Sequence, residues 1–325
     1  MAYAPAGTTT SSPGLNHMAN VIYFARKGLS RLMPNLYFTQ VGNPQTLPLK
    51  SGRTIQWFRR GLPSVDTAPK ADGVIPNPIP QTSNILTSTV EEYGDFMSSS
   101  TLFDDTNIDD AEMNGMIDDL SFQAAISADT IARLEVDSNT ASQVDTLGST
   151  LSASDFKAQV AIMKGINVKP YGSSAGSTGG DFMAIAHPYV EYDLISDNTA
   201  GGFIDATKYT NGTAVLNGEI GKIGGCRIMS STNVGTDGTA APNTKYFTYI
   251  FGDQAFGIVD LAGRGPTKVT DPQNQRFNLM VSKGGPSGFD PTGTIGTYVA
   301  YRFVFAAKTF DGNRLKIVKA DASLV

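Results

Sequence analysis

The chain has 325 residues, of which 40% are apolar and 17% charged, with 34 glycines, 17 prolines and a formal net charge of −5. That balance argues against a helical bundle or a disordered tail, and it suits a loop-rich protein containing β structure, one large domain or two modest ones. The single cysteine, Cys226, excludes an internal disulfide and a zinc cluster built on several thiolates.

No apolar run approaches the roughly 20 residues of a membrane helix, so no membrane partner is expected. The opening MAYAPAGTTTSSPG has neither a basic stretch nor an apolar core, so no secretory signal is expected and the chain reads as a soluble product of a reducing cytoplasm. Residues 1–14 read as a terminal tail. Asn16–Met33 predicts a helix, because Val21, Phe24, Ala25, Gly28, Leu29 and Leu32 recur at spacings of three and four until Pro34. Thr54–Arg60 alternates as a strand, with Ile55 and Trp57 on one face and Gln56 and Phe58 on the other. Its return is expected at Ser83–Glu92.

Between these runs lies Gly61–Thr82, in which Pro63, Pro69, Pro76, Pro78 and Pro80 fix φ and remove backbone donors. The segment is expected to be extended and polyproline-like. The two strands and their tip therefore predict a projecting two-stranded arm, which needs a second molecule to cover it.

Ile108–Val136 is the strongest predicted helix, with an apolar stripe through Met113, Met116, Ile117, Leu120, Ala124, Ala128, Ile131 and Leu134. Asn107 or Asp109 can cap it, and Asp109, Asp110 and Glu112 suit the positive end of its dipole. A second helix is expected at Ser154–Met163 with Phe156, Val160 and Met163 inward. The remainder predicts mixed α/β structure. Phe182–Ala186 is a short strand before His187-Pro188 and a helix to about Ile195, and Gly218–Ser230 is a glycine-punctuated turn entering a strand. Tyr246–Phe251 and Gly296–Ala307 are apolar strands, and Lys308–Val318 another, joined through the hairpin-type turn Asp311-Gly312.

Charge is segregated along the chain. Residues 1–70 hold eight basic residues against Asp66, a net +7, while residues 91–155 hold fifteen acids against Arg133 alone, a net −14. A basic arm and an acidic body are expected to be complementary between copies of one chain, the alternatives being merely solvated faces and a nucleic-acid-binding arm.

Candidate chemistry is thin. Gly172-Ser173-Ser174-Ala175-Gly176 matches a nucleophile elbow, but it sits in a Gly/Ser-rich linker with no preceding apolar strand. His17 and His187 have no second ligand at metal spacing. Asp105, Asn107 and Asp109 imitate the start of a calcium loop, yet Asp110 and Met116 occupy the positions that need Gly and Glu. Gly218, Gly221 and Gly224 do not have the phosphate-loop spacing. No catalytic residue, cofactor or metal site is expected.

The order of parts is tail, short basic helix, projecting arm, long acidic helix and mixed α/β region. It resembles the major capsid proteins of tailed phages, whose shell fold is named after phage Hong Kong 97, and among them the podophage family typified by the coliphage N-four capsid. The residues that carry the resemblance are 25–42 (ARKGLSRLMPNLYFTQVG), 47–60 (LPLKSGRTIQWFRR), Val90-Glu91-Glu92-Tyr93-Gly94-Asp95, Ala186-His187-Pro188, and Gly218-Glu219-Ile220-Gly221 through Arg227-Ile228.

The resemblance implies an α+β fold. An N-terminal arm and helix would occupy 1–46 and an extended β-hairpin loop 47–95. A peripheral domain would hold 96–149 and 286–325 with a spine helix at 108–136, and an axial domain 150–285. It implies a structural subunit, not an enzyme, that assembles into pentamers and hexamers of an icosahedral phage head enclosing double-stranded DNA without sequence-specific binding. The protein would be a virion component assembled in the host cytoplasm. Its partners would be other copies of itself, with a cement protein, a scaffold and a portal as further partners. Contacts between copies are expected from Arg53, Trp57, Arg59, Arg60 and Lys70 of the arm to Asp104, Asp105, Asp118 and Asp119 of a neighbour. The alternatives are an encapsulin-like compartment of the same fold and a serine hydrolase using Ser174.

Overall fold

The computed structural model describes residues 36–48, 50–61, 63–69, 72–73, 75, 78–106, 112–171, 180–197, 204–205, 219–239, 244–262, 278–283 and 294–324. The helix expected at Asn16–Met33 lies outside them, as do Lys70 and Ser174. In chain order the elements begin with α1 (Phe38–Val41), β1 (Asn43–Leu47), β2 (Thr54–Arg60), β3 (Ser83–Thr89), β4 (Glu91–Ser100), α2 (Thr101–Thr106) and α3 (Glu112–Asp137). Then come β5 (Gln143–Thr150), α4 (Ala153–Gly165), β6 (Phe182–Ala186), α5 (Pro188–Ser196), β7 (Ile204–Asp205), β8 (Glu219–Ile223) and β9 (Cys226–Ser230). The chain closes with β10 (Tyr246–Phe251), β11 (Phe256–Leu261), β12 (Asn278–Lys283), β13 (Ile295–Thr309) and β14 (Leu315–Asp321).

Helices and sheets mix as the α+β expectation requires. Seven strands form one sheet in the order β5-β14-β10-β6-β9-β8-β7. Its centre is buried on both faces, and the residues divide by parity, as the two-residue period of a strand demands. On β10, Phe247, Tyr249 and Phe251 enter one core with Leu315 and Ile317 of β14, while Ile250 enters the other with Val318 and Ala320. The second core is closed by Phe156, Val160 and Met163 of α4 and by Val190 and Leu194 of α5. Ser152 caps α4 by accepting from Asp155 N, and Pro188 opens α5 where its missing N–H costs nothing. The glycine-punctuated segment is a hairpin of β8 and β9, turning through Gly224 (φ +58°) and Gly225 (φ +90°), a left-handed pair that suits glycine.

The other sheet is built around β13, a fifteen-residue strand. β4 pairs along one side of it, and β12 and β11 pair along the other, with β1 running parallel to β11. Val299, Tyr301, Phe303 and Phe305 of β13 point to α3 and join Leu120, Ala124, Ala128, Ala132 and Val136 in one core. These α3 residues recur every four positions, a row that winds about 40° around the helix per step. The contact face therefore turns from β4, where Gln123 Nε2 donates to Asp95 Oδ2 (2.9 Å), towards β10, where Tyr249 donates to Asp137 Oδ1 (2.6 Å). This corrects the expected stripe. Ile131 is only half-buried and Leu134 is 55% exposed, because the contact face has already rotated away. Ala132 and Val136 take their place.

Two further differences follow from tertiary pairing. The return strand breaks at Val90 into β3 and β4, since β3 pairs with β2 while β4 crosses to β13. Asp311-Gly312 does not make a hairpin: β13 and β14 enter different sheets, and the Asp311 side chain instead accepts from Asn313 N in a short 3-10 turn. Each sheet gathers strands from distant parts of the chain. β11 and β12 belong with β13, whereas β5 and β14 sit in the seven-stranded sheet.

Candidate assembly surface

β2 and β3 pair antiparallel from Thr54↔Thr89 to Arg60↔Ser83, as the alternation of Thr54–Arg60 predicts, and Gly61 N donates to Thr82 O (2.9 Å) to close the ladder. The hairpin has two unlike faces. On the inner face Ile55 and Trp57 pack against Leu47, Val90, Val259, Val304 and Ala306, so the arm root covers the side of β13 that α3 leaves open. The Trp57 ring meets Phe310 edge to face, with centroids 4.9 Å apart. On the outer face Phe58 and Ile85 are cross-strand partners and are 68% and 57% exposed. Beyond the ladder, Val65, Ile75 and Ile79 are exposed too.

A cleft of about 400 Å³ opens where the root meets the body. Its apolar wall is Trp57, Phe58, Leu86 and Phe310, and its cations are Arg59, Arg60 and Arg314. Asp311 accepts from Arg59 (2.7 Å) and lies 3.9 Å from Arg314 Nε. Arg314 Nη1 is also directed to Asp253 O (3.2 Å) and Gln254 Oε1 (3.3 Å). Arg60 is exposed and has no ion-pair partner among the described residues.

The residues expected to meet across copies fall into two groups. Trp57 and Arg59 are engaged within their own chain, by Phe310 and Asp311. Asp104 is also engaged internally: Ser99 Oγ donates to it (2.5 Å) and Thr297 Oγ1 does so as well (3.0 Å), which pins α2 to the start of β13. Arg53, Arg60, Asp105 and Asp118 are exposed, and Asp119 is half-buried. Among the described residues, no ion pair joins Arg53 or Arg60 of the arm to Asp104, Asp105 or Asp118 within the chain. Nothing in the sequence placed Phe310, Asp311 and Arg314 beside the arm, because they become its neighbours only when β13 delivers them there.

Two further carboxylates, the buried Asp129 and the half-buried Asp137, also escaped the sequence reading. Asp129 accepts from Thr39 N (2.9 Å) and Asn233 Nδ2 (2.8 Å), tying α1 and the 231–235 loop to α3. Asp137 accepts from Tyr249, whose oxygen also takes Gly235 N (2.9 Å). Burial pushes both carboxyl groups above the ordinary range despite these bonds. Burial lowers His187, whose Nδ1 accepts from Tyr189 N (3.2 Å) to cap α5. Among the described residues no cluster of three or more His, Cys, Asp or Glu side chains could hold a metal ion, and no helix is long and apolar enough to cross a membrane.

Comparison with solved structures decides the fold. The capsid of Ralstonia phage GP4 superposes with a TM-score of 0.70 at 12% identity, over 97% of this chain and 99% of that one. The capsid of cyanophage P-SCSP1u gives 0.66 at 14% identity, over 99% of both chains. This is the Hong Kong 97-type capsid fold. The encapsulin SrpI of Synechococcus elongatus has it too, with a TM-score of 0.58 at 11% identity over 94% of both chains. No family model and no curated protein matches the sequence. A capsid fold gives the cleft and the two-faced arm a context: they lie on a chain whose structural neighbours are shell proteins.

Proposed function

We propose that the chain is a non-enzymatic, shell-forming subunit, the major capsid protein of a phage head. The observation that carries this reading is the outer face of the arm. Phe58 and Ile85 form an exposed apolar pair on a strand ladder whose inner face is already covered by its own chain. A two-stranded ribbon gains little from exposing such a pair, and contact with a second copy would bury it. The match to phage capsids over nearly the whole of both chains supports the shell context.

In this reading the arm lies against a neighbouring subunit and α3 is the spine of a peripheral domain. The β6–β10 region faces the centre of each capsomer. Heterologous contacts repeated by rotation close rings, and curved arrays of hexamers and pentamers close an icosahedral shell around double-stranded DNA. The net charge of −5 disfavours tight adhesion of that DNA to the wall. Assembly takes place in the host cytoplasm and the product is the virion, with scaffold, portal and cement proteins as further partners. The likeness to an encapsulin supports a second reading, a compartment of the same fold that encloses cargo protein.

Negative-stain microscopy and sedimentation velocity of the purified chain, alone and with its neighbouring gene products, test the proposal. Rings of five and six or closed shells are expected. A monomer under every condition overturns it, and co-purified cargo enzyme in place of packaged DNA favours the compartment.

A further inference from the structure

The cleft at the arm root has a composition that asks for a particular occupant. Its wall is aromatic and aliphatic, and its rim carries Arg60 and Arg314 in excess of Asp311. A ligand with a carboxylate beside apolar side chains satisfies both. The chain presents such a segment in α2. Leu102 is 73% exposed and Phe103 45%, and exposed Asp105 follows them with no ion-pair partner among the described residues. Asp104, by contrast, is spent on Ser99 and Thr297, so α2 is held rigidly to β13 while Asp105 stays available.

α2 and the cleft sit at opposite ends of the same strand. α2 is bonded to the start of β13, with Thr101 N donating to Thr294 O just before the strand and Thr297 Oγ1 donating to Asp104, and the cleft is built around Phe310 and Asp311 just past its last residue. Fifteen extended residues separate them by on the order of 50 Å. A chain therefore cannot place its own α2 in its own cleft, but a second copy can supply it.

We propose that the cleft of one copy receives α2 of the next. Leu102 and Phe103 enter against Trp57, Leu86 and Phe310, and Asp105 pairs with Arg60. The contact is heterologous, head to tail, because the two surfaces differ and lie far apart. It rests on the shell reading above and names which surfaces of two subunits meet. It also removes Arg59 and Asp104 from the intermolecular pairs expected from sequence, since both are engaged within the chain.

The test is a charge swap on the full-length chain, followed by sedimentation velocity and microscopy, with circular dichroism melts to establish that each variant is folded. Arg60→Glu and Asp105→Arg are each expected to weaken association about tenfold or more, the effect of losing and then opposing one charged pair. The double variant is expected to restore it. Mixing the two single variants should also restore it, because each retains the surface that the other lacks. Association of Arg60→Glu at the wild-type level overturns the pairing while leaving the shell reading intact. Loss with Arg60→Glu but not with Asp105→Arg assigns the cleft to another segment and equally overturns it. A wild-type chain that never associates overturns both.

Discussion

The arm and the α3–β13 layer are both amphipathic, yet they end in opposite conditions. Along α3, Leu120, Ala124, Ala128, Ala132 and Val136 are almost fully buried by Val299, Tyr301, Phe303 and Phe305. Small side chains on the helix let large ones on the strand fill the gap, so that this layer is complete within one chain. Of the five apolar residues of the β2–β3 ribbon, Ile55, Trp57 and Leu86 are half-buried and two are exposed. Trp57 and Ile55 pack against a buried cluster of the body, whereas Phe58 and Ile85 stay largely exposed. A layer satisfied within one chain confers stability, and one left half-open confers association.

That contrast can be broken at its strong side first. Phe303→Ala opens a cavity beneath α3 and is expected to cost about 3–5 kcal/mol of global stability, read as a lower denaturant midpoint at unchanged slope. Trp57→Ala acts on the ribbon, where burial is partial, and is expected to cost on the order of 2 kcal/mol. Its signature is local: faster hydrogen exchange across β2 and β3 with the exchange of α3 unchanged. Equal acceleration in α3 would mean that the root is part of the main core.

Asp129 sharpens the comparison from the side of α3. Asp129→Ala strands Thr39 N and Asn233 Nδ2 and is expected to cost about 1–3 kcal/mol by thermal melt. The pH dependence has a definite sign. Burial raises Asp129 and Asp137 above their ordinary value of 3.8 in the folded chain, so between that value and their raised ones the native state binds more protons than the unfolded. Their contribution therefore makes stability fall as pH rises through this window. Asp181 has the opposite sign. Burial alone would raise it, but Lys222 (hydrogen-bonded to it) and Arg227 (3.0 Å) outweigh that and hold it low, so its stabilisation is lost as pH falls through its lowered value. Asp129→Asn should flatten the first slope and leave the second unchanged, which urea melts across acidic pH would read.

The smallest effect on folding is expected where the shell reading is most exposed. Phe58→Gln with Ile85→Gln should change stability by no more than about 0.5 kcal/mol, because both side chains are mostly exposed. The same pair should abolish rings and shells in sedimentation velocity. Assembly at wild-type levels would show that the outer face is not a contact.

Much of the scaffold was legible from local patterns. Alternation in Thr54–Arg60 marks β2, apolar spacing marks α4, and His187-Pro188 marks the start of α5, since each depends on neighbours within a few residues. α2 was not legible. Six residues show no helical period, and α2 is held by Asp104 reaching Ser99 and Thr297, the latter 193 positions away in sequence. The site divides in the same way. The basic arm and its proline-rich tip announce a projection in one dimension, but the cleft needs Phe310, Asp311 and Arg314 to arrive at Trp57 from the far end of the chain.

By itself, then, the sequence determined the parts: which runs extend or coil, that Thr54–Arg60 pairs with a returning strand, and that basic and acidic segments are segregated. Only the tertiary structure decided which face of the arm stays open, which charges are consumed internally, and where α3 turns its buried row. Periodicity and charge are properties of neighbours along the chain. Burial and pairing depend on long-range strand register, which β13 sets by joining β4, β11 and β12.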